Sequence, residues 1–83
     1  SQPKYTLYEM RKLSGIPPAS VARQIGASYQ SLRNWEKGES VPNVVYVYAL
    51  LKLYGFTLNQ LKMDDYINKV IKNIPKEQLI YSE

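Results

Sequence analysis

Apolar residues recur along this chain at helical spacing, in short runs divided by glycine and proline. Thr6-Leu7-Tyr8-Glu9 has the form of a capping box, which predicts a first helix from near Leu7 to a stop at Gly15. Its inward residues are Leu7, Met10 and Ser14, with Arg11 at the edge of that face. Pro17-Pro18 bars helix upstream and suits the first turn of a second helix, Pro18–Ile25, with Gly26 just past its end. Val21, Ala22 and Ile25 make its apolar face. Ser28 is a good N-cap for a third helix from Tyr29 to Lys37, which Gly38 ends. Asn43 caps a fourth, Val44–Tyr54, closed by Gly55. Thr57-Leu58-Asn59-Gln60 is a second capping box and opens a short fifth helix. Ile67, Val70, Ile71 and Ile74 then repeat at i, i+3, i+4 and i+7, an amphipathic sixth helix that ends before Pro75. Residues 76–83 carry no readable pattern, and no Asn-Gly or Asp-Gly hairpin signal occurs anywhere.

The stretch from Val21 to Gly38 is the informative one. Two short helices meet there at Gly26, so they cross steeply over a turn of about three residues, the helix-turn-helix unit. The predicted fold is therefore all-α: a compact five-helix helix-turn-helix domain plus a C-terminal amphipathic helix. Residues 1–83 form one domain in this reading, with the core unit at 6–61 and the last helix and tail at 64–83. At about 100° per residue, Leu32, Trp35 and Glu36 share one face of the third helix. Gln30, Arg33, Asn34 and Lys37 share the opposite one. That outer ridge has no acidic residue, whereas a merely solvated helix usually mixes Glu and Asp into its exposed face. Gln and Arg are the side chains suited to adenine and guanine edges in a major groove. Gln30 and Arg33 are thus the candidate base readers, and Asn34 can read an edge or meet a phosphate. Tyr29 is placed either to pack on a thymine methyl or to reach a phosphate with its hydroxyl. Glu36 is the odd member of the inner face. A lone buried carboxylate is costly, so it needs a partner, and Arg11 of the first helix is the obvious candidate. Such a pair would leave some guanidinium N–H groups for a phosphate.

The fourth helix gives a second clue. Its core face is read as Val44, Val47, Leu50, Leu51 and Tyr54. Its other side carries Val45, Ala49 and Leu53 with Tyr46 beside them, and only Lys52 is charged. A helix apolar all round is covered on both sides. The stripe Ile67, Val70, Ile71 and Ile74 can supply that cover within the chain, and a second subunit can supply it instead. Both readings stand on the sequence.

Charge sharpens the picture. Residues 1–37 hold six basic groups against Glu9 and Glu36, while residues 38–83 are neutral, so the net charge of +4 lies wholly in the first half. A basic half beside a neutral one suits a polyanion-binding face next to an assembly region. With no Cys and no His, thiolate metal sites and the commonest general base are excluded, and no enzyme constellation assembles. No metal or cofactor is expected. No apolar run reaches the roughly 18 residues of a membrane span, so a cytoplasmic protein without membrane contact is expected.

Taken together, Arg11, Val21-Ala22, Ile25-Gly26, Ser28, Leu32, Trp35, Glu36 and Gly38 resemble the Xre/Cro-type helix-turn-helix family in register. Pro42, Val44, Val47, Leu50, Leu51, Tyr54-Gly55, Leu58 and Leu61 continue the likeness, which spans residues 6–61. The resemblance implies a five-helix domain that binds operator DNA, often as a homodimer on a palindrome, in the manner of phage repressors and Cro proteins. It further implies that Tyr29, Gln30, Arg33 and Asn34 occupy base-reading or adjacent positions, and that Arg11 pairs with Glu36. Arg11, Ser28, Ser31, Lys37, Ser40 and Asn43 are the candidate phosphate contacts. Two departures from the family pattern reduce those contacts. Pro17-Pro18 removes N–H donors from the start of the second helix, and the loop Glu39-Ser40-Val41-Pro42-Asn43 lacks basic residues. A transcription regulator, a repressor or Cro-like protein of a phage or mobile element, is the leading reading. A protein-interaction module on the same fold, of antitoxin or anti-repressor type with a regulatory protein partner, is the alternative.

Overall fold

In the computed structural model, which describes residues 3–72, helices α1 (Leu7–Ser14), α2 (Pro18–Ile25), α3 (Tyr29–Lys37) and α4 (Val44–Tyr54) follow one another, and α5 spans Asp64–Lys72. Local chemistry sets these limits. Thr6 and Glu9 cap each other's amides at the start of α1, at 2.8 and 3.1 Å. Ser28 accepts from the Ser31 amide at 3.0 Å, and Asn43 accepts from the Tyr46 amide at 2.9 Å. Pro17 precedes α2 with no side-chain cap, so that helix starts with fewer satisfied donors than its neighbours. Each of the first four helices ends on a left-handed glycine. Gly26 matters most, because its φ of +76° makes the turn between α2 and α3. A Cβ there would meet no atom within 4 Å, so the requirement for glycine is one of backbone conformation and not of space.

The expected fifth helix is a single 3-10 turn, Leu58–Gln60. Gln60 Oε1 accepts from the Thr57 amide at 3.0 Å and from the Thr57 hydroxyl at 3.2 Å. Only three residues separate Thr57 from Leu61, whose amide donates to the Leu58 carbonyl. Leu61 then turns into the core and pairs with Tyr5 in an isolated bridge. Tyr5 donates to the Gln60 carbonyl and accepts from the Lys62 amide, both at 2.7 Å, which ties the two ends of the unit together. Among the described residues there is no longer strand.

The core is filled by Leu7, Met10, Val21, Leu32, Leu50 and Leu61, all essentially inaccessible. Around this centre α3 packs on α1 and α2, and α4 packs on the same two helices. Two sequence expectations need correcting here. Val44 is 78% exposed and belongs to no core face, and Val47 is only partly buried. With apolar residues all round α4, periodicity fixed no rotational phase for its first turn. Arg11 is buried, at 6% exposure, where the edge of the α1 face was expected. Its charge is drawn inward by Glu36.

Helix α5 sits at the C-terminal end of α3. The buried Tyr66 hydroxyl donates to the Trp35 carbonyl at 2.6 Å, and Lys69 Nζ donates to the Gly38 carbonyl at 3.3 Å. Ile67, Val70 and Ile71 stay 42–46% exposed, and Val45 of α4 stays 71% exposed. Cover of the outer side of α4 by the last helix is therefore not what the described residues show. Tyr46 packs on Trp35 at 5.0 Å between ring centroids, and Leu53 leans on the core, so these two are partly covered by their own chain. Ile74 lies outside the described residues.

Candidate nucleic-acid interface

The site is built on α3, and its inner face determines how firmly the outer one is held. Leu32 and Trp35 are buried, and between them and α1 the Glu36 side chain is only 2% exposed. Arg11 Nε donates to Glu36 Oε2 at 2.6 Å, and Nη2 donates to Oε1 at 3.2 Å. Arg11 Nη1 donates to the Ile16 carbonyl at 3.3 Å, so the same guanidinium also fixes the loop between α1 and α2. The hydrogen bond to Glu36 pushes the Arg11 pKa further up against the cost of burial, so this cation is permanent. A bidentate pair of this kind fastens α3 to α1. With three donors engaged and 6% of its surface open, Arg11 is held firmly as part of the buried framework behind α3.

Tyr54 of α4 completes the buried cluster. Burial pushes its phenol well above the usual value, the nearby Glu36 adds to that, and Arg11 offsets part of it. Its hydroxyl has no hydrogen-bond partner among the described residues. Tyr54→Phe is therefore expected to leave stability near neutral pH unchanged or raised by about 1 kcal/mol, because an unsatisfied buried hydroxyl is removed. The unfolded chain releases this phenolic proton near pH 10 while the folded one keeps it. The folded state then binds more protons, so stability falls as pH rises past that value. Tyr54→Phe should flatten this alkaline loss. Urea melts of both proteins near neutral pH and at about pH 11 test it. A clear destabilisation at neutral pH would show that the hydroxyl is bonded.

On the outer side of α3, Gln30, Asn34 and Lys37 lie on one ridge, with Gln30 and Lys37 exposed and Asn34 half-buried. Gln30 Nε2 donates to Asn34 Oδ1 at 2.9 Å, which orients both amides along the helix. Arg33 is held at the edge of the ridge. Its Nε lies 3.4 Å from Glu36 Oε1, its Nη1 donates to the Tyr29 hydroxyl at 3.3 Å, and its guanidinium stands 5.9 Å from the Tyr29 ring centre. Wheel positions alone do not show this chain from Tyr29 through Arg33 and Glu36 to Arg11. The i, i+3 and i, i+4 spacings of Tyr29, Arg33 and Glu36 were its sequence signal.

The remaining candidates fall at the two ends of α3. At its start, Ser28 donates to Ser31 Oγ at 2.8 Å while capping the Ser31 amide, so the two hydroxyls form one unit. Beyond its end, the amides of Glu39 and Ser40 both donate to the Asn34 carbonyl, curling the loop back on the helix. Asn43 is exposed and engaged through Oδ1 as the α4 cap. Among the described residues no group of side chains suited to a metal ion occurs, and no helix is long and apolar enough to cross a membrane.

A helix laid against its predecessor across a glycine turn, with an acid-free ridge outward and a buried ion pair behind it, defines a helix-turn-helix. A family model described as helix-turn-helix matches residues 7–61, about two thirds of the chain. The chain belongs to that family, in its Xre/Cro type, and is a DNA-binding regulator domain. No curated protein and no solved structure matches it significantly.

Proposed function

We propose that this protein is a sequence-specific transcription regulator that lays α3 in the major groove of duplex DNA, with the role of a repressor or Cro-like protein. The observation that carries this reading is the outer ridge of α3, which offers Gln30, Arg33, Asn34 and Lys37 without a carboxylate and is seated rigidly from behind. Gln30 and Arg33 are the base readers in this proposal, with Tyr29 and Asn34 beside them. Ser28, Ser31 and Lys37 meet phosphates, and Ser40 and Asn43 meet them from the loop. Since the Nε edge of Arg33 faces Glu36 and one Nη1 donor meets the Tyr29 hydroxyl, Nη2 and the second N–H of Nη1 are left to face a guanine.

A homodimer on a palindromic operator fits the same reading. Val44, Val45 and Tyr48 are 78%, 71% and 67% exposed on one stretch of α4, an apolar surface without cover among the described residues. The half-buried stripe Ile67, Val70 and Ile71 is a second such surface. That exposure also supports the alternative, a protein-interaction module with little DNA binding. Selection from a pool of random duplexes separates the two. The proposed function expects enrichment of paired half-sites about one turn, or 34 Å, apart. A pool recovered without sequence preference would favour the interaction module.

A further inference from the structure

Helix α5 lies beyond the residues matched by the family model, and the proposed function uses its apolar stripe but not its lysines. It brings Lys69 and Lys72 beside Lys37, at the C-terminal end of α3. The three lysines, with Asn68 and Gly38, line a cleft of about 300 Å³. One cation is accounted for by the helix end itself, since Lys69 donates to the Gly38 carbonyl, where the α3 dipole is negative. Lys37 and Lys72 close the last turns of α3 and α5, so three cations face one cleft. Among the described side chains no carboxylate comes within ion-pair distance of any of the three. Cations of one sign gathered on a cleft raise the local potential for an anion.

Position decides which anion. With a rise of about 1.5 Å per residue, Lys37 stands about 6 Å along the helix axis from Arg33. A major groove is about 12 Å wide, so a helix that reads bases with its first two turns brings its last turn to the groove wall, where the phosphates are. Tyr66 anchors α5 to the Trp35 carbonyl of α3 itself, so Lys69 and Lys72 keep their place relative to the reading residues. The opposite end of the unit is poor in donors, because α2 opens on Pro17 and Pro18 without a side-chain cap. We infer that α5 forms a phosphate-binding cleft with the end of α3, in which Lys37, Lys69 and Lys72 hold the DNA backbone beside the groove that α3 enters. This inference rests on the DNA-reading function proposed above, and it makes α5 part of the binding surface.

The salt dependence of binding tests it, measured by fluorescence anisotropy with the selected operator and with an unrelated duplex. Each phosphate contact contributes about 0.9 to the slope of log affinity against log salt. Lys72→Gln should lower that slope by about 0.9 for each bound subunit, and Lys69→Gln with Lys72→Gln by about 1.8 for each, equally on both duplexes. Lys72 makes no hydrogen bond or ion pair among the described residues, so its variant should melt like the parent. Lys52→Gln removes the same charge from the exposed side of α4 and should leave the slope in place. If Lys72→Gln leaves the slope of a DNA-binding parent unchanged, or Lys52→Gln lowers it as much, the cleft is overturned while the proposed function stands. A parent that binds neither duplex at low salt overturns both.

Discussion

Glu36→Ala is expected to lower the stability of the fold by about 3–5 kcal/mol. The reason is what it leaves behind. Arg11 is 6% exposed and directs Nε and Nη2 at the carboxylate, so truncation strands a buried guanidinium with two donors unmet. In a domain of this size each kcal/mol lowers the thermal midpoint by about 4–8 °C, and total stability is about 0.05–0.15 kcal/mol per residue. The variant should therefore melt at least about 12 °C below the parent. Adding Arg11→Met removes the stranded charge and fills its space, and it should restore part of the loss. Unchanged midpoints in Glu36→Ala, measured by circular dichroism, would mean that the pair contributes nothing to folding. The expectation extends to function, because Glu36 also faces Arg33 at 3.4 Å. A double mutant that refolds but reads DNA poorly would show the carboxylate orienting Arg33 as well as clamping α3.

The need for a partner to Glu36 was legible because one helix turn places it beside Leu32 and Trp35. The limits of α1 to α4 were legible for a related reason: caps at Thr6, Ser28 and Asn43 and left-handed glycines act within a few residues. What escaped the sequence depends on contacts between distant residues. Nothing near Tyr66 announces that its hydroxyl meets the Trp35 carbonyl 31 positions earlier, so the sequence left open whether the last helix covers α4, and α5 stands at the end of α3. The bridge between Tyr5 and Leu61 is of the same kind. Val44 was misplaced for a different reason. On a helix with apolar residues on every side, spacing does not tell the covered side from the open one, and the open side of α4 includes Val44, Val45 and Tyr48. Within the interface, spacing gave the ridge of Gln30, Asn34 and Lys37. It did not give the hold of Tyr29 and Glu36 on Arg33, which requires rotamers and not faces.

That hold leads to the second large effect. Arg33→Ala is expected to relax sequence preference at one position of each half-site, losing about 1–3 kcal/mol of discrimination there. The guanidinium is already placed before DNA arrives, with Nε toward Glu36 and Nη1 on the Tyr29 hydroxyl, so little side-chain freedom remains to be lost on binding. A preset guanidinium favours one base edge over the others, which a mobile phosphate-seeking arginine does not. Tyr29→Phe keeps the ring and removes the hydroxyl partner, so it should weaken preference at the same position by a smaller amount. Lys37→Ala should behave differently, lowering affinity for all sequences alike and flattening the salt slope by about 0.9 per half-site. The three variants can be measured against a set of single-base operator changes at several salt concentrations. If Arg33→Ala lowers affinity uniformly and leaves the preference intact, Arg33 is a phosphate contact. The ridge of α3 would then lie along the groove wall, and base reading would fall to Gln30 and Asn34, whose amides are joined at 2.9 Å.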